Sequence, residues 1–200
     1  MRMGSMIQKP LERVMIFIDG GYLRKLFTDL FGNDNISFFK MRRTLLKSYN
    51  DSPTNFFRAN LIRMYYYDGA ADEEPERTQH KKYFDSLKKR FVFLTVRLGE
   101  AVKLSNGRFR QKGVDVLMAI DALTMGYRDY YDSGIFFLGD RDFIPLIEAV
   151  KSVGKKTYGF HYMKKVPPEL IYAFDFRRGF NKTTLKRWHI TSEEFNQNQK

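Results

Sequence analysis

Short apolar runs alternate with helix-like segments along this chain, and that alternation constrains the fold more than any other feature. The first run, Val14–Ile18, is apolar at every position, as in a strand buried on both faces of a parallel sheet. Further strands are predicted at Asn60–Tyr67, Phe91–Leu98, Gly134–Leu138 and Lys156–Phe160. The segments between and after them predict helices at Tyr22–Phe27, Ser37–Leu46, Glu76–Arg90, Val114–Met125, Phe143–Val153 and Pro167–Ala173. This order predicts an α/β fold with three layers, α/β/α, around a mainly parallel sheet.

Two segments depart from the alternation. Ala101–Leu104 and Arg108–Arg110 flank an Asn-Gly pair, which predicts a β-hairpin. Asp68–Pro75 is acidic and contains proline, so a loop is expected there. We expect one domain over residues 11–180, followed by a C-terminal extension over 181–200 that is partly disordered because its end is polar.

The charge of the chain suggests its partners. Its 35 Lys and Arg residues outnumber 23 Asp and Glu residues, for a formal net charge of +12. Such a balance favours polyanions, although it also suits a basic surface that serves only solubility. The sequence has no cysteine, which excludes disulfides, thiolate zinc sites and a cysteine nucleophile, and suits a cytoplasmic location. No apolar run reaches the length of about 20 residues that a membrane helix needs, so no membrane association is expected.

Aspartates stand at the ends of two predicted strands. Asp19 directly follows the first strand, Asp140 directly follows the fourth, and Asp142 comes two residues later. Ligands of open α/β sheets bind beyond the carboxyl ends of the strands, so Asp19 and Asp140 are expected to share a site. Asp142 has a second interpretation, as a cap of the helix that begins there.

The helix over Gly113–Leu123 carries two further aspartates. It is apolar on nearly every side, so we expect it to be largely buried, with carboxylates that need a partner. Asp115 lies at the helix start, where it can point into the same mouth as Asp19. Asp121 lies about 9 Å further along the axis and is left open between a site residue and a buried partner of a backbone or basic group.

Carboxylates that converge without a cation repel one another, and a hard divalent ion removes this repulsion. Mg²⁺ and Mn²⁺ both suit oxygen ligands, and such ions promote phosphodiester hydrolysis. Basic residues near the aspartates, Arg110, Lys112 and Arg141, are candidate phosphate contacts, with solvated surface charge as the alternative. Tyr22 is a candidate for stacking on a base. The sequence contains no phosphate-binding Gly-rich loop and no Gly-x-Ser-x-Gly elbow, which disfavours P-loop and serine-hydrolase chemistry.

At these residues the chain resembles the NYN domain family of PIN-like nucleases. The resemblance rests on the segments Phe17–Leu23, Lys112–Val116 through Asp121, Leu138–Phe143 and Gly154–Lys156. It implies a PIN-like fold and an acidic site, formed by Asp19, Asp115, Asp140 and Asp142, that binds Mg²⁺ or Mn²⁺ and acts on RNA; Asp121 matches a recurring aspartate of uncertain role. Relatives of this kind often form homodimers, so a homodimer is among the expected states.

The leading hypothesis is therefore a metal-dependent ribonuclease that hydrolyses RNA phosphodiester bonds at a cluster of aspartates. The chain departs from the family pattern at two positions, with Tyr22 where many relatives have Asn and Arg141 where many have Ser. The first departure motivates an alternative, a non-catalytic RNA-binding or regulatory module that keeps the PIN-like fold. A third hypothesis is a protein-interaction domain whose basic face meets acidic partners.

Overall fold

The computed structural model describes residues 9–53, 55–71, 74–103 and 109–191, with the backbone only for Lys103, Phe109 and Arg110. Its described residues form one sheet with the strand order β4-β3-β2-β1-β5-β6-β7. The strands are β1 Leu11–Asp19, β2 Arg58–Ala71, β3 Leu94–Lys103, β4 Phe109–Lys112, β5 Ser133–Phe137, β6 Lys156–Tyr162 and β7 Phe176–Phe180. Neighbouring strands run parallel except β3 and β4, which pair antiparallel. The predicted α/β fold with a mainly parallel sheet is confirmed.

Helices cover both faces of the sheet. They are α1 Gly20–Phe31, α2 Phe38–Asn50, α3 Glu76–Arg90, α4 Val114–Tyr127, α5 Ile144–Ser152, α6 Pro168–Ala173 and α7 Lys182–Lys186, with 3₁₀ turns at Arg141–Phe143 and Met163–Lys165. One apolar cluster contains side chains of α1, α2, α3 and α7, and a second contains side chains of α4, α5 and α6. The two clusters make the three layers that the sequence predicts. None of the described helices is both long and apolar enough to cross a membrane.

Strand β1 lies in the middle of the sheet and joins the two clusters. Its side chains alternate between them, with Val14, Ile16 and Ile18 in one and Met15 and Phe17 in the other. All five are buried, which explains why this segment is apolar at every position.

The structure corrects one expectation about element boundaries and bears on a second. The predicted loop at Asp68–Pro75 begins too early, because β2 continues to Ala71 and Asp68 pairs with Leu98 of β3. The two strands of the predicted hairpin form, with Val102 opposite Arg110, while residues 104–108 of the predicted turn lie outside the described residues.

The end of the described chain packs on the domain. Elements β7 and α7 were not predicted, and Trp188 behind them is fully buried, with its Nε1–H donating to the Thr44 hydroxyl at 3.0 Å. His189 forms an isolated bridge with Ile36. The predicted boundary between residues 180 and 181 stays a prediction, and residues 192–200, at the end of the predicted extension, lie outside the described part.

The expectation that helix α4 is largely buried is wrong. Val114, Met118 and Ala122 face the core, whereas Val116, Ile120 and Tyr127 are exposed. When a helix is apolar on every side, the sequence shows that it can pack on the sheet but does not show which side is buried. The opposite face of α4 therefore presents an apolar surface to solvent.

Candidate active site

Three of the predicted aspartates line one cleft at the carboxyl edge of the sheet. Asp19 is the last residue of β1, Asp140 follows β5, and Asp115 is the second residue of α4. The cleft has a volume of about 410 Å³. Strands β1 and β5 are neighbours although the chain between them passes through β2, β3 and β4, so the cleft opens where the order of the sheet reverses. This is the place where open α/β sheets bind ligands.

Asp19 is the most deeply placed of the three. Only 8% of the residue is exposed, and its Oδ1 accepts the Tyr22 N–H at 3.0 Å, so that it caps α1. The pKa of its carboxyl is raised to about 7, mainly by burial and in smaller part by the negative charges of Asp115 and Asp68, while the hydrogen bond from Tyr22 opposes the shift. Ionised Asp19 is thus in an environment that favours an added cation.

Asp115 and Asp140 belong to the more open side of the cleft, and both are exposed residues. Partial burial raises the pKa of the Asp115 carboxyl, and the charges of Asp140 and Asp142 add to the effect. The Oδ1 of Asp140 accepts the Asp142 N–H at 3.0 Å and caps the 3₁₀ turn. Asp142 is close enough to influence Asp115, but it does not line the cleft.

The chemical type of the ligands in the cleft, carboxylate oxygens, suits a hard divalent ion. Asp19, Asp115 and Asp140 offer only oxygen ligands, and the raised pKa values of the first two reflect burial and mutual repulsion, which a cation would offset. In the described residues, no three His, Cys, Asp or Glu side chains are grouped closely enough to hold one ion together. A Mg²⁺ ion commonly uses only one or two protein carboxylates, with waters and substrate phosphates as the remaining ligands. The cleft thus suits an ion that is bound jointly with substrate.

A second buried aspartate, Asp68, lies near the cleft, and the sequence analysis did not identify it. Asp68 is fully buried and accepts five hydrogen bonds, from Arg24 Nε and Nη2 at 2.7 Å each, the Tyr66 hydroxyl at 2.6 Å, the Gly69 N–H at 2.8 Å and Gln111 Nε2 at 2.6 Å. Since Gln111 also lines the cleft, this network joins α1, β2 and β4 next to the cleft wall. The available signal was the sequence Tyr-Asp-Gly-Ala at the end of an aromatic strand, which also resembles a turn.

Tyr22 contributes its ring to the wall of the cleft. The ring centroid lies 5.6 Å from that of Phe137, and a Cβ on Gly139 would lie only 2.1 Å from Tyr22 Cδ2, so the ring packs directly on the backbone at Gly139. The Tyr22 hydroxyl is buried near the backbone of Tyr162 and makes no hydrogen bond of normal geometry with the described residues. A ligand in the cleft would thus contact the ring of Tyr22 and not its hydroxyl.

Two of the three predicted phosphate contacts, Lys112 and Arg141, do not line the cleft. Lys112 ends β4 and Arg141 begins the 3₁₀ turn, and both are exposed, while Arg110 is placed only through its backbone pairing in β4. The cations that do line the cleft are Lys25 of α1 and Lys165 of the second 3₁₀ turn. Lys165 Nζ lies 2.7 Å from Asp29 Oδ2, which closes the wall between α1 and that turn.

Asp121 does not enter the cleft. Its carboxylate lies 2.8 Å from Arg97 Nε and accepts a hydrogen bond from the Tyr67 hydroxyl at 3.3 Å. The sequence left Asp121 open between a site residue and a partner of a backbone or basic group. In the structure it is the partner of a basic group, Arg97.

Comparisons with known proteins bear on the fold and on the family of the chain. The model of the NYN domain matches residues 13–178, which is most of the chain. A crystal structure of a protein of unknown function from Vibrio parahaemolyticus is similar, with a TM-score of 0.61 and 17% identity over 90% of this chain and 97% of that one; at this identity it shows the fold alone. No curated protein matches the chain. The NYN domain defines a family of PIN-like nucleases, generally ribonucleases, which supports a nuclease-type function at family level. The chain belongs to the NYN domain family.

Proposed function

We propose that this protein is a divalent-metal-dependent ribonuclease that hydrolyses RNA phosphodiester bonds in the cleft of Asp19, Asp115 and Asp140. The observation that carries the proposal is that these three aspartates, distant in sequence, line one cleft of a NYN-family fold. The positive charge of the chain favours a polyanionic substrate.

The roles of the residues follow from their positions. Asp19, Asp115 and Asp140 would offer carboxylate oxygens to Mg²⁺ or Mn²⁺, with one or two of the three binding an ion directly and waters or substrate phosphates completing its ligands, and Asp142 would add negative charge near Asp115. When bound, such an ion would lower the pKa of a water and offset negative charge on the phosphate. Lys25 and Lys165 in the cleft wall would contact phosphate oxygens of the substrate.

Cleavage of labelled single-stranded RNA, with Mn²⁺ or Mg²⁺ and with a chelator as control, tests the proposal. We expect cleavage with the metal, and we expect Asp140→Asn to lower the rate about 100-fold or more, as the loss of one electrostatic group in an active site commonly does. Asp85→Asn is the matched control, because Asp85 is a half-exposed carboxylate on α3 whose nearest cation lies at 3.9 Å. Unchanged cleavage by Asp140→Asn would refute the assignment, and single-stranded DNA of the same sequence tests the choice of RNA.

The non-catalytic alternative has one observation in its favour. The Tyr22 ring occupies part of the cleft wall where many relatives have Asn, so a polar contact to the substrate or its ion is replaced by an aromatic surface. A module of this kind would bind RNA without a metal requirement and leave it intact. Tyr22→Asn separates the two hypotheses, because gain of metal-dependent cleavage by that variant alone would identify the natural chain as a binding module.

We also propose that the protein works in the cytoplasm as a homodimer. The absence of cysteine supports the location. The exposed apolar face of α4, with Val116, Ile120 and Tyr127, is the surface that a second copy would cover. Sedimentation equilibrium tests the dimer: we expect Ile120→Lys to dissociate it, and a monomeric natural chain would contradict the proposal.

A further inference from the structure

A second, mainly apolar cleft opens between the 3₁₀ turn Met163–Lys165, helix α6 and strand β7. Its volume is about 380 Å³, and its walls include Met163, Val166, Ile171, Tyr172 and Arg177. None of these residues belongs to the acidic cleft. The function proposed above thus gives this second cleft no role.

Tyr172 is an exposed aromatic residue in the wall of this cleft. The residue is 68% exposed although the Arg177 guanidinium lies over its ring, with Cζ 4.9 Å from the centroid. Aromatic rings and guanidinium planes are the groups on which proteins stack unpaired nucleobases. An exposed tyrosine that an arginine already orients is therefore suited to hold one base with little loss of side-chain freedom.

A single 3₁₀ turn connects the two clefts. Lys165 lines the acidic cleft, while Met163 at the other end of the turn lines the apolar one. Met163 packs tightly on the edge strand, because a Cβ on Gly179 would lie 2.5 Å from its Cγ. With a rise of about 2 Å per residue in such a turn, one polynucleotide strand that crosses it reaches both clefts.

The charges around the apolar cleft favour a nucleic acid over an apolar peptide. Lys164 and Lys165 in the turn and Arg177 and Arg178 in β7 are all exposed. Lys165 is paired with Asp29, but Lys164 adds positive charge on the path between the clefts, at the turn, and Arg177 adds it in the wall of the apolar cleft. A phosphate backbone would follow this path while its base enters the apolar cleft.

We propose that the cleft at Tyr172 and Arg177 is a nucleobase subsite, which binds an unpaired base of a single-stranded RNA whose backbone occupies the acidic cleft. This proposal rests on the function proposed above for the choice of ligand. Its contribution to that function is positioning: a base held beyond the Met163–Lys165 turn fixes which phosphate of the strand lies between Asp19 and Asp140.

Binding of a short, fluorescent, single-stranded oligouridine, measured by anisotropy in the presence of a chelator, tests the subsite without cleavage. We expect Tyr172→Ala to weaken binding roughly 5- to 150-fold, the range seen for the loss of one base-stacking side chain. Tyr172→Phe should bind like the natural protein because it keeps the ring. The salt dependence should stay the same in Tyr172→Ala and become shallower in Arg177→Gln, which removes a charge.

The matched control is Phe39→Ala on α2. Phe39 is 51% exposed and lies under the Arg42 guanidinium at 5.2 Å, so it copies the aromatic–arginine pair without adjoining the acidic cleft. An abasic version of the oligonucleotide is the second control, because Tyr172→Ala should not weaken its binding. Unchanged oligouridine binding by Tyr172→Ala would overturn the proposal, and so would an equal loss with the abasic probe or with Phe39→Ala.

These outcomes are distinct from failure of the ribonuclease proposal. If the protein binds oligouridine through Tyr172 but never cleaves RNA, the subsite proposal holds and the ribonuclease proposal is wrong. If the protein cleaves RNA equally well with and without the Tyr172 ring, the ribonuclease proposal holds and the subsite proposal is wrong.

Discussion

Replacing Asp19 by Asn should stabilise the metal-free protein at high pH. Burial holds the pKa of Asp19 at about 7 in the folded protein, against 3.8 when it is solvated. Between these two values the unfolded chain loses this proton while the folded protein keeps it, so the free energy of unfolding falls as the pH rises through this window. Above pH 7 both states are ionised, and the full difference between the pKa values costs the native state about 4 kcal/mol. Asn keeps the oxygen that accepts the Tyr22 N–H, and it is a good helix cap, so the variant loses the charge without losing the cap.

Urea unfolding in a chelator, at pH 5 and pH 8, measures the effect. The unfolding free energy of Asp19→Asn should exceed that of the natural protein at both pH values, and the gap should widen by about 2 to 3 kcal/mol between them. Added Mn²⁺ should narrow the gap, because a bound cation stabilises only the natural, ionised folded state. Asp140→Asn is the control, since Asp140 is exposed and its effect should stay within about 0.5 kcal/mol. A variant no more stable than the natural protein at pH 8 would show that Asp19 is not an uncompensated buried charge.

Three further predictions concern residues around the cleft. Asp68→Asn leaves Arg24 without its carboxylate and should lower the unfolding free energy by about 3 kcal/mol in urea titrations; a loss below 1 kcal/mol would contradict the role given to this network. His161 is fully buried, and burial lowers its pKa to about 4, so the protein should lose about 3 kcal/mol as the pH falls from 6.5 through 4; His161→Leu should remove this component from a pH series of unfolding curves. Gly139→Ala should displace the Tyr22 ring and cost about 1 to 3 kcal/mol in a thermal melt, whereas the same change made beside Tyr22→Asn should cost much less.

The central part of the fold and site could be predicted because local pattern and global position agree there. Val14–Ile18 is apolar at every position since it is buried on both faces, and a polar residue directly behind such a strand must stand at the ligand-binding edge. The same reasoning holds for Asp140 behind β5. For Asp19 and Asp140, the local sequence shows both the buried strand and the point where it ends, and these two features are enough to place the residue.

Asp68 could not be found in this way because its partners come from elsewhere in the chain. The Gly after it looks like the start of a loop, while the groups that satisfy its buried charge belong to α1, β2 and β4. Trp188 is a similar case, since the residues around it are polar and nothing local shows that its indole fills a gap beside α2. In α4, periodicity locates the helix but does not show that Asp121 turns to Arg97 while Val116 faces solvent.

The acidic cleft is formed by residues 19, 115 and 140. Asp19 ends β1, and β1 lies in the sheet between β2 and β5, which both come later in the chain. During synthesis on a ribosome, Asp19 emerges long before the β5 segment that must lie beside it. A growing chain thus has no complete cleft until residue 140 has been made. Any activity that depends on this cleft would therefore begin only after residue 140 has left the ribosome and β5 has joined β1.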